Sequence, residues 1–182
     1  YLNGLRKVCD QKFDQVVTFN CRLLGGTEMN SPPYIKKHGI ETKYRMLTQG
    51  YGIYRGIKSV ENEEVILKTN TMSRKEIMSM RPVNWFFYLF WNNGYYVEFM
   101  KLIQQSKINP IDFIIELMDN LETSNDSIGS LYKEFLADSE QEWYDSPEEL
   151  FLENSKEING KLKAEDFAKL NAKYTSKVIF GY

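Results

Sequence analysis

Apolar positions at Leu2, Leu5, Val8, Cys9 and Phe13 recur at helical spacing, which predicts an amphipathic helix over residues 2–12. The next stretch has a different pattern. Val16, Val17 and Phe19 form a short β-branched and aromatic run, bounded by Asp14 and Gln15 before it and by Arg22 and Gly25-Gly26 after it. That pattern predicts a short buried strand opening into a glycine loop. Ser31 and Pro32 then open a short helix that Gly39 stops, with Lys36, Lys37 and His38 in a last turn that favours cations. From Glu41 to Thr71 the segments TKYRML, GIYRGI and EEVILKTN read as extended, separated by QGYG and SVENE as turns. They predict one or two hairpins, or irregular extended segments.

Beyond Ser73 the period becomes helical. Ser73 and Glu76 make a capping box, and Pro82 predicts a break or kink at Arg81. The run VNWFFYLFW is apolar on nearly every side, which suits a core helix, and it is far below the ~20 residues of a bilayer span. Helices are expected over Tyr95–Gln105, from Asn109-Pro110 to about Leu121, over Ser127–Asp138, from Ser146-Pro147 onward, and over Ala164–Tyr174 after a break at Asn159-Gly160. Val178–Tyr182 reads as a terminal strand or a tail. The predicted class is α+β, mainly α: a helix–strand unit and short extended segments, then a helical C-terminal half. The expected divisions are 1–30, 31–72 and 73–182.

Charge changes this picture only locally. A net charge of −2 gives no reason to expect nucleic acid or a membrane as partner. Yet Asp112–Glu153 holds thirteen acidic residues against Lys133 alone, while residues 1–58 hold ten basic and four acidic, so an anionic ligand is expected near the glycine loop. Cys9 and Cys21 lie outside any CxxC spacing and are expected to be free thiols of a cytoplasmic chain. No basic-then-apolar leader precedes the first helix. His38 is the single histidine and reads as a helix-end cation. Glu61, Glu63 and Glu64 read as a solvated turn rather than a metal site, and the aromatic run reads as core rather than a stacking platform. No G-x-S-x-G and no Cys–His spacing supports a hydrolase, so no catalytic residue and no metal ligand is assigned.

The series RLLGGTEMN (Arg22–Asn30), KHGIETKYRML (Lys37–Leu47), YGIY (Tyr51–Tyr54) and EEVILKTNTMS (Glu63–Ser73), with Arg81 shortly after, resembles the C-terminal portion of cobalamin-dependent radical SAM proteins, the B12-binding Fe–S oxidoreductase-like group. The resemblance covers about residues 5–105. It implies that Asp14–Asn30 is the last barrel strand with its exit loop, and that the later segments cross into a helical C-terminal region. The parent enzyme would use SAM, a [4Fe–4S] cluster and cobalamin, for methyl transfer or a radical rearrangement. By the same resemblance Phe19, Asn20, Cys21 and Arg22 would lie along the cofactor, and Arg22, Thr27 and Glu28 would face the substrate. The bland alternative is local: Arg22 paired with Glu28 or a carbonyl, and Thr27 capping the loop.

The family's CxxxCxxC loop, glycine-rich SAM motif and cobalamin domain have no counterpart here, so the chain alone is expected to be non-catalytic and to hold no cofactor. Its expected partner is the rest of the parent chain. A second possibility is a free-standing module that binds proteins through its acidic helical face. With a severed strand, Asp14–Cys21 is expected either to pair with a second copy, as a homodimer, or to be covered by the chain's own Glu41–Thr71 segments.

Overall fold

The computed structural model describes residues 1–11, 13, 15–154 and 170–181, with backbone alone at 48, 49, 51 and 58. The class is α+β, mainly α, with the paired strands before residue 72 and helices after it. Between Glu41 and Lys68 the chain doubles back once: β1 (Glu41–Tyr54) and β2 (Ile57–Lys68) pair as one antiparallel hairpin. Arg55 and Gly56 close it with φ of +52° and +82°. Two left-handed residues at a two-residue turn are the type I′ pattern, whose twist matches that of the flanking strands.

The expected turns are therefore misplaced. QGYG lies inside β1 and SVENE inside β2. The register runs Met46 opposite Asn62 and then Tyr51 opposite Val60, so residues 47–50 face Glu61 alone as a large bulge. Glycine in a strand interior marks such a bulge as readily as a turn.

A second correction concerns the strand at Val16–Phe19. Val17 is 58% and Phe19 74% exposed, and no strand forms there. Extended pairing starts later, where Leu23 N donates to Glu64 O and Ile66 N to Cys21 O, both at 2.9 Å. Arg22 thus sits opposite Val65 on the free edge of β2. Tyr44 of β1 makes the corresponding bridge to Tyr144, with two reciprocal backbone bonds of 2.8 Å. Cover by the chain's own hairpin reaches only Cys21–Leu23, and Asp14 lies outside the described residues.

The helices are α1 (Leu2–Asp10), α2 (Pro32–His38), α3 (Arg74–Phe87), α4 (Val97–Gln105), α5 (Pro110–Thr123), α6 (Ser127–Gln141), α7 (Pro147–Glu153) and α8 (Leu170–Phe180). Three expected helix caps form, whereas Ser31 makes no side-chain cap: its hydroxyl donates back to Glu28 O at 2.7 Å. Ser73 N donates to Glu76 Oε2 at 2.8 Å and Glu76 N to Ser73 Oγ at 3.3 Å, completing the capping box. Asn109 and Ser146 accept from Ile111 N and Glu149 N at the starts of α5 and α7. Gly39 ends α2 at φ +57°, and a β-carbon there would meet Asn70 Oδ1 at an impossible distance. Asn70 fills that space because its amide groups bond the carbonyls of Lys37 and His38, both at 2.8 Å.

Of the break or kink expected at Arg81, the break does not occur, since Pro82 lies inside α3. Helical residues continue to Phe87 and pass into a π-helical turn, Tyr88–Asn92. Val83, Trp85, Phe86 and Phe87 are buried just beyond the proline, and their packing offsets the hydrogen bond it cannot donate. At the other end, Val178–Phe180 belong to α8, so the expected terminal strand is absent there. Asn159-Gly160 and Ala164 lie outside the described residues.

The chain divides into two compact units, each assembled from segments distant in sequence. The first comprises Tyr1–Thr18, Ser79–Ala137 and Tyr174–Tyr182, the second Phe19–Met78 and Asp138–Lys173. The first has an aromatic core in which Trp85 stacks on Phe135 at 4.3 Å, with Tyr174 edge-on to both. The expectation that VNWFFYLFW is core holds here. The second packs Val65, Leu67 and Met78 together with Ile77 and Trp143.

Candidate functional site

In the second unit, strand alternation turns Glu63, Val65 and Leu67 to one face of β2, and that face is buried. A carboxylate in such a place must be paired. Glu63 keeps only 7% of its side chain exposed and lies between two arginines. Arg45, its cross-strand partner in the hairpin register, donates from Nε to Glu63 Oε1 at 2.6 Å. Arg22 brings Nε to 2.6 Å from Oε2, a contact of charges without hydrogen-bond alignment. Arg45 also reaches Glu142 Oε1 at 3.1 Å, and its guanidinium lies 5.3 Å over the Trp143 ring. With its amide turned to suit, Asn20 Oδ1 accepts from Arg45 Nη1 and Nη2 at 3.1 and 3.2 Å. Two cations and two carboxylates balance, so the cluster acts as a clamp. It ties the Asn20–Arg22 stretch to both hairpin strands and to the residues linking α6 and α7.

The six residues assigned from the resemblance separate into three settings. Asn20 and Arg22 are in the clamp. Cys21 is exposed, and its carbonyl is engaged by Ile66. Phe19 projects into solvent. Thr27 Oγ1 donates to Leu24 O at 2.7 Å, closing the glycine loop as the local alternative expects. Glu28 is exposed and opens a 3-10 turn, and Arg22's carboxylate partner is Glu63 rather than Glu28.

Sequence reasoning misses the centre of this cluster. Glu63 reads with Glu61 and Glu64 as a solvated turn, yet it shares its period-two face with Val65 and Leu67 in EEVILK, which is the signal that finds it. The acidic segment is also less free than its composition implies. Asp112 pairs with Arg6 at 2.8 Å and Glu134 with Lys177 at 2.5 Å in the first unit. In the second, Asp138 pairs with Lys173, Glu140 with Arg74 and Asp145 with Lys43.

Burial pushes the Cys9 thiol up to about 12, with Asp10 adding to the effect, so this thiol stays protonated near neutrality. Among the described residues no three His, Cys, Asp or Glu side chains gather as a metal site, and no helix is long and apolar enough to cross a membrane. No known family model matches the chain, and no curated protein matches it.

Proposed function

We propose that this chain is the C-terminal region of a cobalamin-dependent radical SAM enzyme of the cytoplasm, where it completes the barrel and shapes access for the substrate. The observation that carries the reading is the state of Phe13–Phe19. Its side chains have strand chemistry, yet Val17 and Phe19 stand in solvent. Its backbone is held by side chains instead: Trp91 Nε1 donates to Phe13 O at 2.9 Å, and Asn92 bonds both polar groups of Val16. A segment of strand-forming sequence, strapped in place outside any described sheet, suits insertion beside a barrel strand of the parent.

SAM, the [4Fe–4S] cluster and cobalamin would supply the radical chemistry from the rest of the parent. Among the described residues of this chain no metal-holding set forms, so no step is derived through those groups. Its own contribution is positional. The clamp fixes Arg22 at the head of the glycine loop, with Thr27 closing that loop beside it.

Two measurements test the reading. The reading frame upstream of the Tyr1 codon should encode a CxxxCxxC loop, and a frame that starts at or near Tyr1 rejects the proposal. The upstream region, expressed separately, should also co-purify with this chain. Val17→Lys should abolish that association, and retention with the lysine in place rejects the barrel-strand role.

A further inference from the structure

The hairpin reaches past its supports. Among the described residues, β2 has the Cys21–Leu23 neighbour only at Glu64–Ile66, and β1 has its outer bridge only at Tyr44. Beyond the bulge, every residue from Ile53 to Ile57 is exposed. Ile53 is 66%, Tyr54 68% and Ile57 72% accessible, the reverse of what burial would favour for such side chains.

Three observations together select the occupant. First, each face of the apex carries an apolar side chain. Tyr54 and Ile57 are cross-strand partners and share one face, with the Tyr54 ring lying back over Gly52, while Ile53 belongs to the opposite face. A partner protein docked on one side covers only half of such an apex, whereas a medium that surrounds it covers all. Second, the sequence from Met46 to Val60 contains Arg55 and Lys58 and no acid; Glu61, at the bulge, is the first. Third, Tyr54 is an aromatic with a polar tip, suited to an apolar–aqueous boundary. Two cations are few for a nucleic acid, whose binding grows with each phosphate neutralised, and two isoleucines would gain nothing there.

We infer that the apex Ile53–Ile57 is a shallow insertion loop for an anionic lipid surface. The isoleucines enter the boundary between headgroups and acyl chains, while Arg55 meets lipid phosphates. Insertion stays shallow because the unpaired strand edges need water or headgroups to satisfy their backbone groups. The whole-chain charge of −2, which gives no reason to expect a membrane, conceals this local excess of cations.

The test is co-sedimentation of the full chain with phosphatidylcholine vesicles, with and without phosphatidylglycerol, at low and physiological ionic strength. Partitioning should require phosphatidylglycerol and weaken with salt. Ile57→Asp should reduce it about tenfold or more, from the apolar burial lost, and Arg55→Glu by about fivefold or more, from the charge reversed. Both positions are exposed, so circular dichroism and melting temperature should match the unsubstituted chain and exclude misfolding as the cause. No partitioning into phosphatidylglycerol vesicles overturns the inference, as does partitioning that survives Ile57→Asp. Binding to duplex DNA that Ile57→Asp abolishes, without vesicle binding, assigns the apex to nucleic acid and equally overturns it.

Discussion

Asn92 does for Val16 what a neighbouring strand would do. Its Oδ1 accepts from Val16 N at 3.0 Å, and its Nδ2 donates to Val16 O at 2.7 Å. One amide side chain thus replaces a ladder partner, from the end of the π-helical turn at Tyr88–Asn92. That placement gives the turn a purpose, since π-turns re-aim side chains at specific sites. Asn92→Ala removes both bonds and leaves two part-buried backbone groups unpaired. The expected loss is about 1–3 kcal/mol, read from urea denaturation, with amide exchange at Val16 rising before the global transition. Unchanged exchange at Val16 would mean that Asn92 is not what holds this stretch.

Glu63 should be the most sensitive charge of the hairpin. Glu63→Gln preserves shape but leaves Arg22 and Arg45 without their shared counter-ion. Side chains of Arg22 and Arg45 are 43% and 23% exposed, so the loss should fall below that of a fully buried pair, at about 2–3 kcal/mol. Double-mutant cycles should give a larger coupling for Glu63–Arg45 than for Glu63–Arg22. Only the first contact is an aligned hydrogen bond. Equal couplings would mean that alignment and burial are not what set the strength.

Local signals are legible in the sequence and long-range partners are not. Ser73 with Glu76, Asn109 with Pro110 and Ser146 with Pro147 mark helix starts because each cap is a bond between residues two or three apart. The hairpin turn escapes because Arg55 occupies a position where asparagine is the usual signal. QGYG carries the stronger turn signal, although its glycines serve a bulge. The Val16–Phe19 run has strand composition, but composition names no neighbour, and the backbone partner of Val16 is Asn92, 76 positions along the chain. Glu63 is misread for the same reason: its burial depends on Arg22 and Arg45 arriving from two other segments.

The capping box at Ser73 should respond to acid. Hydrogen bonds from Ser73 hold the Glu76 carboxyl below the usual value for glutamate. A folded-state value that is depressed means a contribution present above the ordinary glutamate range and lost as pH falls through the folded value. Glu76→Gln should therefore be less stable than the unsubstituted chain at neutral pH, with the gap closing in acid. Melting temperatures across that range measure it, and a gap independent of pH would place the effect outside the carboxylate.

The two cysteines should differ sharply in reactivity. Cys21 is exposed, whereas Cys9 is buried with its thiol raised to about 12. Under native conditions a thiol reagent should modify Cys21 quickly and Cys9 only on unfolding. Peptide mapping after a short pulse distinguishes them. Rapid labelling of Cys9 would show α1 opening well below the global unfolding free energy.

Arg55 joins the stability of the hairpin to the proposed use of its apex. A non-glycine residue at φ +52° is strained, and asparagine tolerates that conformation better than arginine does. Arg55→Asn should consequently stabilise the chain by about 0.5–1 kcal/mol, measured by the denaturant midpoint at constant slope. The same change removes a cation from the apex. If the arginine is there for an anionic surface, Arg55→Asn should raise stability and weaken vesicle binding together. Strain retained at an exposed turn then has a functional cause. A stability gain with undiminished binding to phosphatidylglycerol vesicles would separate the two, and would leave the strain at Arg55 without that explanation.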